Sequence, residues 1–222
     1  MGLNLIELPY LVFRLAPIII ISFFVLQSFL IWDLKGVIYI SGLLLTCLIT
    51  IGTSTGLQSL FSDTEPLMNH TRCTTFSLGE NGEYYSKIPL NLVVYSFTFF
   101  YLLIFIFNLA NKDPSKGILD TTDYKQTNIN VALQQNVPVL VFFPLLILAE
   151  LWWLNINSCL GANNFALLAL LGVLLGGIGG VIWAVMVTSM GVPSLQYIVS
   201  KREDVCSRPT KSLFRCKPKV ST

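Results

Sequence analysis

Long uncharged apolar stretches alternate with short polar ones along this chain. The apolar runs cover Ala16–Trp32, Gly36 to about Phe61, Ile88–Asn111, Val137–Leu154 and Phe165–Met190. About twenty apolar residues cross the hydrocarbon core of a bilayer as a helix. In such all-apolar runs period does not separate helix from strand, but length does, and these lengths predict helices. The expected fold is therefore all-α: an integral membrane helical bundle of about five transmembrane helices, four if the first does not cross. The first two runs are expected to pair through the tight turn Asp33-Leu34-Lys35. The resulting organisation is an N-terminal transmembrane hairpin (1–61), an external loop (62–87), a three-helix transmembrane region (88–190) and a polar, basic C-terminal tail (191–222).

Composition strengthens this reading. The chain is 54% hydrophobic and 12% charged, with a mean hydropathy of +0.69. Soluble domains carry roughly 25% charged residues, so a soluble protein of this size could not hide so much apolar surface from water. The first run lies near the N-terminus behind Arg14, as a signal peptide would. Its apolar stretch is long, however, and no small-x-small cleavage site follows "FLIWDLK", so a retained helix is expected. The start "MGLNLI" lacks the Ser or Thr that myristoylation wants at position 6.

Charge is uneven, and its distribution orients the chain. With five spans, one side of the membrane holds Arg14, Arg72 and Lys87. The other holds Lys35, Lys112, Lys116, Lys125 and seven tail residues: three basic side chains against eleven. The positive-inside rule then puts the tail inside and the 62–87 loop outside. Asn69-His70-Thr71, a glycosylation sequon on Asn69, falls in the outer loop.

Little here points to catalysis. His70 is the only histidine, which leaves no Ser/His/Asp arrangement or His-rich metal site unless His70 itself serves. No phosphate loop, carboxylate pair or nucleophile elbow appears, so neither catalytic, cofactor-binding nor metal-binding residues are assigned. Cys47 reads as a small buried apolar residue. Cys73 and Cys159 fall on the same, outer side; if that side is oxidising, a Cys73–Cys159 disulfide would tie two loops together. Cys206 and Cys216 in the tail are too few for zinc. Bridged, they would close a loop worth about 2–3 kcal/mol; in an ordinary cytosol they would stay reduced. Glu150 is the one ionisable residue within a span, which by default suggests function, but Trp152 and Trp153 beside it suggest the headgroup level. The fifth run carries Gly172, Gly176, Gly180, Ala184 and Thr188 at strict i+4 spacing, a smooth groove for close helix–helix packing within the chain or between copies.

Two stretches, "LGENGEYYSKIPLNLVVYSFTFFYLLIFIFN" (78–108) and "VCSRPTKSLFRCKPK" (205–219), resemble a family of small multi-pass membrane proteins of nucleocytoplasmic large DNA viruses, including algal viruses. That family follows its final span with a C-S-R-P-[ST]-K…C tail, matched here by Cys206, Ser207, Arg208, Pro209, Thr210, Lys211 and Cys216. The resemblance covers the second half of the chain best. It implies a structural protein of a virion inner membrane or a minor capsid component, partnered by the lipid bilayer and by neighbouring membrane or capsid proteins. It also implies viral thiol oxidation, which would permit a Cys206–Cys216 bridge. Within the tail, Pro209 stiffens the segment and Phe214 offers an apolar anchor among Arg208, Lys211 and Arg215. A docking role follows more readily than nucleic-acid binding, for which one aromatic and no binding fold are poor equipment. Two other classes compete: a tetraspan-like cellular scaffold, and a channel or transporter with Glu150, Gln27, Thr53, Ser54 and Thr55 along its path.

Overall fold

A computed structural model describes residues 7–57, 88–112, 133–134, 136–157, 159 and 165–191. The described residues form five long helices and no strand: α1 (Glu7–Ile31), α2 (Lys35–Leu57), α3 (Leu90–Lys112), α4 (Val137–Ile156) and α5 (Phe165–Ser189). Four of them, α2 to α5, are long and apolar enough to cross a membrane. The apolar part of α1, Leu15–Ile31, is shorter than these. Glu7 and Arg14 make the N-terminal part of α1 polar, so α1 as a whole is longer than its greasy segment. The chain is accordingly an all-α bundle with at least four helices suited to a bilayer.

Large apolar side chains cover its outside. Phe23, Leu26, Leu48, Leu145, Leu148, Ile178 and Ile182 are all exposed. On a water-soluble domain so many neighbouring apolar side chains would form an aggregating surface; against lipid tails they cost nothing. The uniform greasiness of α4 and α5, with no polar face to oppose an apolar one, fits the same surroundings.

The α1–α2 hairpin is set by a local hydrogen-bond pattern. The Asp33 amide donates to the Ser28 carbonyl (3.0 Å) and the Trp32 amide to the Phe29 carbonyl (3.3 Å), the 6→1 and 5→2 bonds of a Schellman ending. The left-handed position that such an ending needs is occupied by Trp32, with φ of 56°. Ser28 then clamps the corner: its hydroxyl donates to the Asp33 carbonyl and accepts from the Gly36 amide. Gly36 must be small here, because an added Cβ would lie 2.6 Å from Ser28 Cβ. Lys35 pairs with Asp33 at 2.9 Å beside the turn.

The centre of the bundle is α3, whose residues 91–98 are all buried. Its neighbours identify the direction of each helix. Gly172 of α5 lies against Ile88 and Leu92, Gly180 against Phe97 and Tyr101, and Thr188 against Asn108. Positions rise together, so α3 and α5 run parallel. Against α2 they fall: Gly42 meets Trp183 and Thr46 meets Gly179, so α2 is antiparallel to α5. On α4, Phe143 meets Phe99 and Glu150 meets Asn91, again antiparallel. The helices thus run alternately up and down through the bundle.

An aromatic cluster fills the core between α1, α2 and α3. Tyr39 is fully buried, with ring centroids 4.7 Å from Phe24, 5.9 Å from Phe97 and 5.8 Å from Tyr101. Its hydroxyl is satisfied by Thr98 Oγ1 at 2.7 Å, the arrangement expected of a buried phenol. Other interior hydroxyls turn back on their own helices: Thr46 donates to the Gly42 carbonyl, Thr50 to Thr46, and Ser96 to Leu92. In this way these hydroxyls of α2 and α3 are buried with a partner each.

Candidate functional site

Two seams on opposite faces of α3 carry the residues of interest. The first is the α3–α5 contact. An added Cβ at Gly176 would sit 2.1 Å from Ser96 Oγ and 2.5 Å from the Val93 carbonyl oxygen; at Gly180, 2.5 Å from the Phe97 carbonyl oxygen. At Gly172 the nearest atom would be 3.4 Å away, an ordinary contact. Ala184 is fully buried, and Thr188 accepts from Asn108 Nδ2 at 3.3 Å while donating to the Ala184 carbonyl. The five small residues thus lie along α3 within the same chain, with backbone-to-backbone approach at Gly176 and Gly180.

Glycines off that row make further room. Gly42 of α2 admits the indole of Trp183, whose atoms would lie 2.4 Å from an added Cβ. The same indole donates from Nε1 to the Ile38 carbonyl at 2.9 Å, joining α5 to α2 by a hydrogen bond. Neither Gly42 nor Trp183 belongs to a regular row, so spacing alone does not single them out.

The second seam is polar at one end. Glu150 of α4 is 1% exposed and accepts a hydrogen bond at Oε1 from Asn91 Nδ2, 3.0 Å away. It stands six residues before the end of α4, about 9 Å along the helix axis at 1.5 Å per residue. The carboxyl is enclosed by protein rather than presented at the outside of the bundle. Trp152 is itself exposed, while Glu150 turns to the other face of the helix. Its second oxygen, Oε2, and the hydroxyl of Tyr95 are both buried and lack a hydrogen-bond partner. Asn91 and Tyr95 are one turn apart on α3, so they occupy the same face.

The path imagined for a transporter does not assemble around this group. Gln27 and Thr55 are exposed, whereas Ser54 and Glu150 are buried. Thr53 and Thr55 donate to carbonyls of their own helix, Thr50 and Gly52. These residues therefore do not line one common route.

Among the cysteines, Cys47 is a free thiol and Cys159, buried just beyond α4, is disulfide-bonded. Cys73, its expected partner, lies outside the described residues, as do Asn69 and the tail residues Cys206, Arg208, Pro209, Lys211, Phe214, Arg215 and Cys216. No group of three or more His, Cys, Asp or Glu side chains suited to a metal occurs among the described residues.

Comparison with protein-family models, curated proteins and solved structures returns no match.

Proposed function

We propose that this is a structural membrane protein whose helices hold it in a bilayer while its basic tail docks onto an adjacent protein layer. In the viral setting suggested by the tail motif, it is a virion inner-membrane or minor capsid component and the layer is the capsid shell. The observation that carries the reading is the contrast between bundle and tail. The bundle presents apolar side chains outward and is internally locked, glycine against backbone. The tail holds seven basic and two acidic residues in positions 201–222, more charge than orienting one helix requires. Gly191, with φ of 68°, ends the last helix at the end of the bundle that carries the α1–α2 turn. An anionic leaflet would attract such a segment at about 1 kcal/mol per basic residue. Pro209 and Phe214, with Cys206 and Cys216, add to that charge the stiff and apolar residues a protein-docking segment uses.

Deleting residues 203–222 tests this. Membrane insertion is expected to survive, because α1 to α5 all precede the cut and Lys201 and Arg202 remain. Co-assembly with the shell, read by co-purification with virions or with the shell protein, is expected to be lost. Replacing Cys206 and Cys216 by serine is expected to give a milder version of the same defect. Normal assembly of the truncated chain would reduce the tail to an orientation signal. The competing transporter reading draws on a single observation, the buried Glu150.

A further inference from the structure

Glu150 is unusual in this bundle because every other buried polar side chain among the described residues is neutral. A carboxylate in the membrane interior is costly, about 2.5–3.5 kcal/mol even by the mildest scales. Burial without full pairing makes it costlier. One amide, from Asn91, satisfies one oxygen. The other oxygen, and the Tyr95 hydroxyl on the Asn91 face of α3, are each buried and each unpaired. Buried polar atoms in that state call for a ligand, an ion or a change of protonation.

The surrounding helices narrow the choice. On α3 the facing polar groups are Asn91 and Tyr95, and neither carries charge. Residues 88–108, 137–157 and 165–191 contain no Lys, Arg, His or Asp, and Glu150 is their only acidic residue. Cys159, near the end of the same seam, is oxidised and does not titrate. A single carboxylate among neutral neighbours is too weak a donor set for a divalent cation, which wants several oxygen or mixed ligands, and no such cluster exists among the described residues. The charge is most simply removed by a proton. A protonated Oε2 is a donor, and the Tyr95 phenol, whose O–H would equally donate to an ionised carboxylate, then serves as its acceptor.

We propose that the Glu150 carboxyl is a proton-binding site inside the bundle, with Asn91 donating to Oε1 and the Tyr95 hydroxyl pairing with a protonated Oε2. The proton comes from bulk water and nothing else is consumed or released. The site makes the α3–α4 seam responsive to protonation. It stands independently of the tail-docking reading, since neither needs the other to be right.

Infrared difference spectroscopy on the full chain in liposomes tests it. At neutral pH the wild type is expected to show a protonated-carboxyl C=O band that shifts on exchange into D₂O. Glu150→Gln is expected to lose that band. Tyr95→Phe, which removes only a hydroxyl, is expected to keep the band but shift it to higher frequency. An unchanged spectrum in Glu150→Gln would mean that the carboxylate is ionised and would overturn the proposal. So would a band that disappears on adding sodium, potassium or calcium ions, which would make the ligand a metal cation. A band seen only in Lys87→Gln would show that this lysine, outside the described residues, neutralises Glu150 in the wild type. That result also excludes the proton site. A Tyr95→Phe spectrum identical to wild type would overturn the role of the hydroxyl.

Discussion

The two faces of α3 are joined to their neighbours by opposite means. Toward α5 the contact is made by the absence of side chains, with Gly176 and Gly180 letting backbones touch. Toward α4 it is made by large rings, Phe99 and Phe143 with centroids 6.5 Å apart, and by one polar bond between Asn91 and Glu150. In lipid, where apolar burial gives helices no reason to prefer each other over the solvent, close packing and interhelical hydrogen bonds do the joining. The α5 seam relies mainly on the first, with one hydrogen bond from Asn108 to Thr188 at its end, and the α4 seam joins ring packing to the second. A close-packed seam has one arrangement and tolerates no added atom. A seam with a hydrogen-bonded carboxyl in it can have two, depending on what the bonded groups carry.

The largest expected effect comes from filling the glycine seam. Gly176→Leu is expected to abolish the folded bundle or lower its melting temperature in detergent far more than Leu174→Ile, since Leu174 is exposed. Equal tolerance of the two would dissolve the contrast between the seams. Alanine gives a graded version. Gly180→Ala places a Cβ 2.5 Å from a backbone oxygen, with an overpacking cost of about 1–3 kcal/mol. That exceeds the roughly 0.5–1 kcal/mol that alanine gains over glycine in a helix. At Gly172, where contact is ordinary, and at Gly52, where nothing lies within 4 Å, the helix gain is expected to win. A melting-temperature order of Gly52→Ala and Gly172→Ala above wild type, and Gly180→Ala below it, is the outcome to look for.

The polar seam is expected to respond more moderately. Asn91→Leu leaves the carboxyl without its donor, a loss of about 1–3 kcal/mol. The double replacement Asn91→Leu with Glu150→Leu is expected to recover most of that loss, because removing both polar partners is often neutral or better. A double-mutant cycle in detergent unfolding measures the coupling; strict additivity would mean the two side chains do not interact. The smallest effect is expected for Tyr39→Phe, which removes the hydroxyl bonded to Thr98 and costs about 0.5–1.5 kcal/mol. Thr98 keeps its bond to the Val94 carbonyl, so no new unpaired group is created.

The elements of the bundle are legible in the sequence because run length in a membrane chain is set by bilayer thickness. The turn at Asp33-Leu34-Lys35 is visible for the same reason: charge interrupts grease. The regular spacing of the small residues in α5 is also plain in the sequence, but that they face α3 is not, because a groove does not name its occupant. Glu150 is conspicuous as a residue and opaque as a site. The tryptophans beside it carry an interfacial signal, yet helical periodicity turns the carboxylate to another face, where Asn91 waits in an unremarkable "IPLNL". An interior position for Tyr95 could have been suspected only from its i+4 spacing to Asn91. Where nearly every residue of a helix is apolar, there is no contrast from which to read which side is inside.

The parallel pairing of α3 with α5 has a bearing on how the protein comes into being. The two helices are separated in the chain by the whole of α4 and its flanking connections, so α3 leaves the ribosome long before its closest neighbour exists. At about 5–20 residues per second, the interval between synthesis of the α3 face around Val93 and Ser96 and arrival of Gly176 and Gly180 is about 4–17 s. Throughout that time the face must be sheltered by lipid, by the insertion machinery or by another chain. The bundle closes only when its last helix is delivered, which makes α5 the fastener of the assembly and the moment of its insertion the point at which a nascent chain becomes a folded one.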